Sequence, residues 1–288
     1  MKKKHIAALC LVLCIIFSGC NYQVKNDTQY IEPEALYGKD NSTESDSIQE
    51  KAALDLEGYF KGYDEAGCII LNTISNEKNI FNNEVTLKEM SPLSTFKIIN
   101  TLILLEENIF KDENTQFIWD GSNYPIDSWN KDQTVKTAFK NSAVWVYQEA
   151  SNKLDRNVYA EYLNQCNYGN KDVSGREGTF WINSSLKISL SEQVDFLKKL
   201  YDETLNFSKD NIHKVKEMML EEQNEKYSIY GKTGSNKADG IYLYVGYIIG
   251  EDNQDYIFSA YVSDETVHDS NIAKLKIQEI FNDIYYND

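Results

Sequence analysis

Residues 92–107 read Pro92-Leu93-Ser94-Thr95-Phe96-Lys97-Ile98-Ile99-Asn100-Thr101-Leu102-Ile103-Leu104-Leu105-Glu106-Glu107. The pattern predicts a helix over 94–107 that is apolar on most faces, through Phe96, Ile98, Ile99, Leu102, Ile103, Leu104 and Leu105. Such a helix belongs in a protein interior. Ser94 and Lys97 are three residues apart and share one face of it. The helix N-terminus places unpaired backbone N–H groups near the serine. An amine in apolar surroundings loses solvation, which favours its neutral form and depresses its pKa. A neutral amine can act as a base, or react with carbon dioxide to become a carbamate. The plainer alternative is a helix-capping serine and a lysine that snorkels to solvent.

Ser-x-x-Lys occurs four times, at Ser75, Ser94, Ser128 and Ser184, so the motif alone decides nothing. Only Ser94 opens a long apolar helix. A Ser-His-Asp triad would need His213 or His268, and neither has a suggestive context. Gly-x-Ser-x-Gly and Gly-rich phosphate loops are absent. A hydrolase built on this chain needs another base, and lysine is the obvious one. No metal is expected, because no ligand spacing surrounds either histidine.

Outward from this helix, residues 67–73 look like a buried strand. Residues 130–222 are mainly helical in pattern. Three strands are expected at 227–233, 241–250 and 255–263, separated by the turn signals Gly234-Ser235-Asn236 and Glu251-Asp252-Asn253-Gln254. Residues 269–285 carry Ile277, Ile280, Phe281 and Ile284 at helical spacing. The order implies an α+β fold, an antiparallel sheet flanked by helices with a helical subdomain. Apolar residues make up 42% of the 288, enough for a sizeable core. The formal net charge of -16 repels phosphate backbones, so nucleic acid is excluded as a partner.

The N-terminus reads as a processing signal rather than as fold. Lys2, Lys3 and Lys4 precede an apolar run from Ile6 to Phe17, too short for a permanent span. Ile16-Phe17-Ser18-Gly19-Cys20 resembles a bacterial lipobox, whose cysteine is lipidated. Residues 1–19 are therefore expected to be a lipoprotein signal peptide, and 20–49 a polar, acidic tether. Residues 50–288 form the folded domain. Cys68 and Cys166 are expected as buried free thiols, although a disulfide between them is open.

Further motifs follow in order: Trp119-Asp120-Gly121, Trp129-Asn130-Lys131-Asp132-Gln133, Asn141-Ser142-Ala143-Val144-Trp145-Val146-Tyr147-Gln148, Tyr168-Gly169-Asn170, Phe180-Trp181-Ile182 and Lys232-Thr233-Gly234. Each alone has a bland reading as a cap, turn or strand end. With Pro92-Leu93-Ser94-Thr95-Phe96-Lys97 they are similar, across about residues 58 to 288, to the class D (oxacillinase-type) serine β-lactamases.

That resemblance implies a β-lactamase whose Ser94 attacks the lactam carbonyl. It implies that carbon dioxide or bicarbonate carboxylates Lys97, making it the general base for acylation and deacylation. Trp181 would donate its indole N–H to the carbamate, and Phe96 and Val144 would keep the site apolar. Ser142 would relay a proton to the leaving nitrogen. Lys232 and Thr233 would hold the substrate carboxylate, and Gly234 and Ser235 would complete that strand edge. The N–H groups of Ser94 and Ser235 would form the oxyanion hole. Tyr168 and Asn170 would close one wall. A lipid on Cys20 would anchor the exported protein to the outer face of the cytoplasmic membrane of a Gram-positive bacterium.

The chain departs from the family in two places. Many members carry an arginine after Lys-Thr-Gly, whereas Arg156 and Arg176 both precede it here. The next strand reads Tyr244-Val245-Gly246-Tyr247, where the family often shows tryptophans. Two other readings compete: a β-lactam sensor domain that acylates once, and a penicillin-binding D,D-peptidase. The single cleavable signal and Val144 argue against the sensor.

Overall fold

The computed structural model describes residues 54–286. The expected leader, Cys20 and the tether at 20–49 lie outside the described residues. The order opens with helix α1 (Glu57–Phe60), strands β1 (Glu65–Asn72) and β2 (Lys78–Phe81), and helix α2 (Asn83–Leu87). A 3-10 turn, Leu93–Phe96, runs directly into α3 (Lys97–Glu106). A short ribbon of β3 (Gln116–Phe117) and β4 (Gln133–Thr134) precedes α4 (Val135–Lys140), α5 (Val144–Ser151) and α6 (Arg156–Cys166). Then come α7 (Leu190–Tyr201), α8 (Lys209–Met219), β5 (Leu220–Gln223), β6 (Tyr227–Asn236), β7 (Ile241–Gly250), β8 (Tyr256–Ser263) and α9 (Ile272–Tyr286).

Six strands form one sheet in the order β2-β1-β8-β7-β6-β5, every pair antiparallel. Alternate residues of the central strands feed two separate apolar cores, as the period of two requires. Ile69, Leu71, Leu243, Val245 and Ile257 pack with α3 and the helices of the middle segment. Cys68, Ile70, Tyr242, Tyr244 and Phe258 pack with Phe60 of α1 and Ile277, Ile280 and Phe281 of α9. The sheet is thus covered on both faces, and its central strands read as continuous apolar runs. Cys68 and Cys166 are free and buried.

The structure corrects the expected elements in three places. Ser94 sits in the 3-10 turn, and the α-helix starts only at Lys97. The reason is local: Leu93 is left-handed (φ 52), and Thr95 binds back to Pro92 O through both its N–H (3.1 Å) and its hydroxyl (2.7 Å). Gly234-Ser235-Asn236, expected as a turn, continues β6 in register with β7 up to Asn236↔Ile241. The reversal comes one step later, at Lys237–Asp239, where Asn236 Oδ1 accepts from Ala238 N–H (3.2 Å) and Gly240 is left-handed (φ 60). Finally, β2, β5 and the β3–β4 ribbon were not foreseen. They are short, with Lys-Asn-Ile-Phe and Leu-Glu-Glu-Gln as the edge strands, and charged edges carry little alternation to read.

Candidate active site

The 3-10 turn holds Ser94 partly exposed while the adjoining α3 buries Lys97 completely (0% exposed). Lys97 Nζ lies 3.1 Å from Ser94 Oγ, so the side chains three residues apart do meet. Below the amine is the Tyr147 ring, 5.0 Å from Nζ. Thr101 Oγ1 donates to the Lys97 carbonyl (2.6 Å) and lies 2.8 Å from the Tyr147 hydroxyl. Burial, aided by the nearby Lys232 ammonium, pushes the Lys97 pKa well below the ordinary lysine value. The amine is therefore neutral far more readily than an exposed lysine. Tyr147 was legible in principle: it follows Val144 by three residues on α5, as Thr101 follows Lys97 by four on α3.

β6 brings the second set of groups. Lys232 is 2% exposed, and its Nζ donates to Ser142 Oγ (2.6 Å), Thr233 O (3.2 Å) and Thr233 Oγ1 (3.4 Å). Burial pulls its pKa down to about 8. Gly234 lets the strand pass against the serine turn. A Cβ there would lie 3.1 Å from Pro92 O and 3.2 Å from Thr95 Cγ2. Pairing with β5 stops at Tyr230, so from Gly231 to Asn236 the described strand has β7 on one side and no strand on the other. An open edge of this kind offers backbone donors and acceptors to a ligand. Ser235 lies on it, exposed, and Thr233 is half-buried.

Ser142 joins α4 to α5 in the left-handed region (φ 55). Two tryptophans brace it. Trp129 Nε1 donates to Asn141 O (2.8 Å), and Trp145 Nε1 donates to Trp129 O (3.1 Å). Val144 opens α5 two residues on, half-buried.

The aromatic floor is built on Phe96. Trp181 stacks on it (centroids 5.1 Å, 26°), and Phe180 and Tyr168 meet it edge-on at 5.4 and 5.9 Å. The Trp181 backbone is tied to the serine turn, its carbonyl accepting from Leu93 N–H (3.1 Å) and Ser91 Oγ (2.9 Å). Its indole Nε1 is buried without an acceptor. A buried N–H donor left unpaired is costly and marks a place suited to an oxygen acceptor. The site thus holds a buried amine whose charged form is disfavoured and an orphaned indole donor on the aromatic wall built on Phe96. Asn170 is exposed and braces the loop that carries Trp181: Oδ1 accepts from Lys187 N–H (3.0 Å) and Nδ2 donates to Ser185 O (2.9 Å). Arg156 is spent on Val173 O and Ser174 O.

A serine beside a buried lysine, under an open Lys-Thr-Gly strand edge, defines a serine acyl-transfer architecture. A family model described as penicillin binding protein transpeptidase domain matches residues 43–286. The probable β-lactamase YbxI of Bacillus subtilis (strain 168) is 36% identical over 222 residues, covering 76% of this chain and 82% of that protein. The class D β-lactamase BAT-2 has a TM-score of 0.76 at 34% identity, covering 80% of this chain and 95% of that one. The regulatory protein BlaR1 of Staphylococcus aureus is 36% identical over 203 residues, 69% of this chain, which spans 34% of BlaR1's length. The chain belongs to the penicillin-binding transpeptidase-domain family and is class D β-lactamase-like within it. No helix among the described residues is long and apolar enough to cross a membrane.

Proposed function

We propose that this protein is a β-lactamase that opens β-lactams through an acyl-enzyme on Ser94. The observation that carries this reading is the fully buried Lys97 amine 3.1 Å from Ser94 Oγ. A neutral amine there accepts the serine proton as the oxygen attacks the lactam carbonyl. The C–N bond then breaks, and Ser142 relays to the leaving nitrogen the proton that the base took from Ser94, so that Ser142 and the base are both restored. Lys232, bound to Ser142, supplies that proton's electrostatic support and attracts the substrate carboxylate together with Thr233. The backbone N–H groups of Ser94 and Ser235 stabilise the oxyanion.

A carbamate formed from Lys97 and carbon dioxide, with loss of one proton to solvent, would supply an anionic base that stays unprotonated near neutral pH, for acylation and for the water that hydrolyses the ester. For it, Trp181 Nε1 is the waiting donor, and Phe96 and Val144 limit water. The leader and Cys20 suit export and lipid anchoring at the outer face of the cytoplasmic membrane. Mass spectrometry of the mature N-terminus tests that part.

The BlaR1 relationship favours a second reading, a sensor that is acylated and stays so. One assay separates the two. The purified protein is expected to hydrolyse a chromogenic cephalosporin with many turnovers, faster with added bicarbonate. A burst of one equivalent without turnover supports sensing, and no acylation at all defeats both readings.

A further inference from the structure

Lys232 is buried among charges that do not balance. Its three hydrogen bonds all go to neutral oxygens. The titratable groups that bear on it come from four elements: Glu221 on β5, Lys140 on α4, Lys274 on α9, and the Lys97 amine of α3. Apart from the carbamate proposed on Lys97, Glu221 is the single carboxylate in this set. Its Oε2 accepts from Lys274 Nζ at 2.6 Å, and its Oε1 lies 3.9 Å from Lys140 Nζ. Two lysines thus lie against this acid, and Lys232 feels its charge without contacting it.

The fold aims that acid deliberately. Leu220 pairs with Tyr230 and Glu222 with Ile229, so Glu221 is the extra residue of a β-bulge. A bulge re-aims one side chain and is common beside active sites. Here the bulge ends the pairing of β5 with β6 just before Gly231 and Lys232. Regular pairing would have put Glu221 in the ladder.

We propose that Glu221 is a positioning residue for substrate capture: it is the shared counter-charge that keeps Lys232 an ammonium, while Lys140 and Lys274 oppose it. This rests on the reading that a β-lactam carboxylate docks at Lys232 and Thr233. A like-charged neighbour favours the neutral amine and an opposite charge favours the ammonium. Substitutions in the cluster must therefore move the site in opposite directions according to their sign, which a merely structural role would not do.

The test is the second-order rate of acylation by a fluorescent penicillin, measured across pH with melting curves alongside. Wild type is expected to lose rate as pH rises through about 8, as Lys232 deprotonates. Glu221→Gln is expected to move this limb to lower pH by about one unit, a tenfold loss on the limb. Lys274→Met is expected to move it to higher pH, and Glu221→Asp to return it towards wild type. Limbs that stay in place in Glu221→Gln and Lys274→Met, whatever the rates, overturn the inference alone. A wild type that is never acylated overturns the functional reading on which it rests.

Discussion

At the scale of single residues, the site is a tension between stability and chemistry. Lys97 and Lys232 both bind protons less tightly in the fold than in the unfolded chain. Above its folded pKa, about 8 for Lys232, each lysine holds fewer protons in the fold than in the unfolded chain, and both penalise folding, fully so below the folded pKa. The penalty shrinks as pH rises towards the ordinary lysine range. Lys97→Met removes one share of it. The variant is expected to melt higher, by about 2–4 °C for each kcal/mol recovered, yet to stall at or before the acyl-enzyme. A lower melting temperature together with normal turnover would contradict both halves. Trp181→Phe keeps the stacked ring but removes the donor, so its activity is expected to need far more bicarbonate than wild type. Ser94 and Lys97 were legible because apolar spacing marks a buried helix and their separation of three marks a shared face. Ser142 was legible only through the resemblance, and the left-handed backbones of Leu93 and Ser142 were not legible, since nothing in a leucine or serine announces them.

At the scale of elements, two fits decide the geometry. The first is β6 against the serine turn, where a Cβ on Gly234 would be tight, at 3.1–3.3 Å from Pro92, Thr95 and Leu93 atoms. Gly234→Ala must push the strand or the turn aside. Misplacement of this kind costs reaction rate steeply, so acylation is expected to slow by about tenfold or more, a loss that stopped-flow kinetics would register. The second is the burial of α3. Leu102 is fully buried, and Leu102→Ala is expected to cost about 2–5 kcal/mol in urea unfolding. An unchanged midpoint would mean that α3 is not the core helix described. The long strands and the closing helix were readable from alternation and from helical spacing. β2 and β5 were not, because four-residue charged edges have too little pattern. Missing β5 also hid Glu221, whose position depends on a bulge that only pairing creates.

At the scale of the whole molecule, the sheet pairs the first long strand of the described residues with the last, and the helical middle supplies Ser142, which bonds Lys232, and Trp181, whose carbonyl holds the serine turn. Sequence order alone showed that grouping only through the resemblance, since Ser142 and Lys232 bond across a separation of 90 residues. The proposed mechanism requires two lysines in opposite states, Lys97 uncharged and Lys232 charged. A bell-shaped pH profile of kcat/KM is expected, falling at low pH as Lys97 protonates and above about 8 as Lys232 loses its proton. A single rising limb across that range would mean that Lys232 takes no part in binding. The most direct measurement is carbon-13 NMR of the protein equilibrated with labelled bicarbonate. One carbamate resonance is expected in wild type and none in Lys97→Ala. A spectrum with no such resonance at neutral to mildly alkaline pH would contradict the central claim that Lys97 is a dry, uncharged amine open to carbon dioxide.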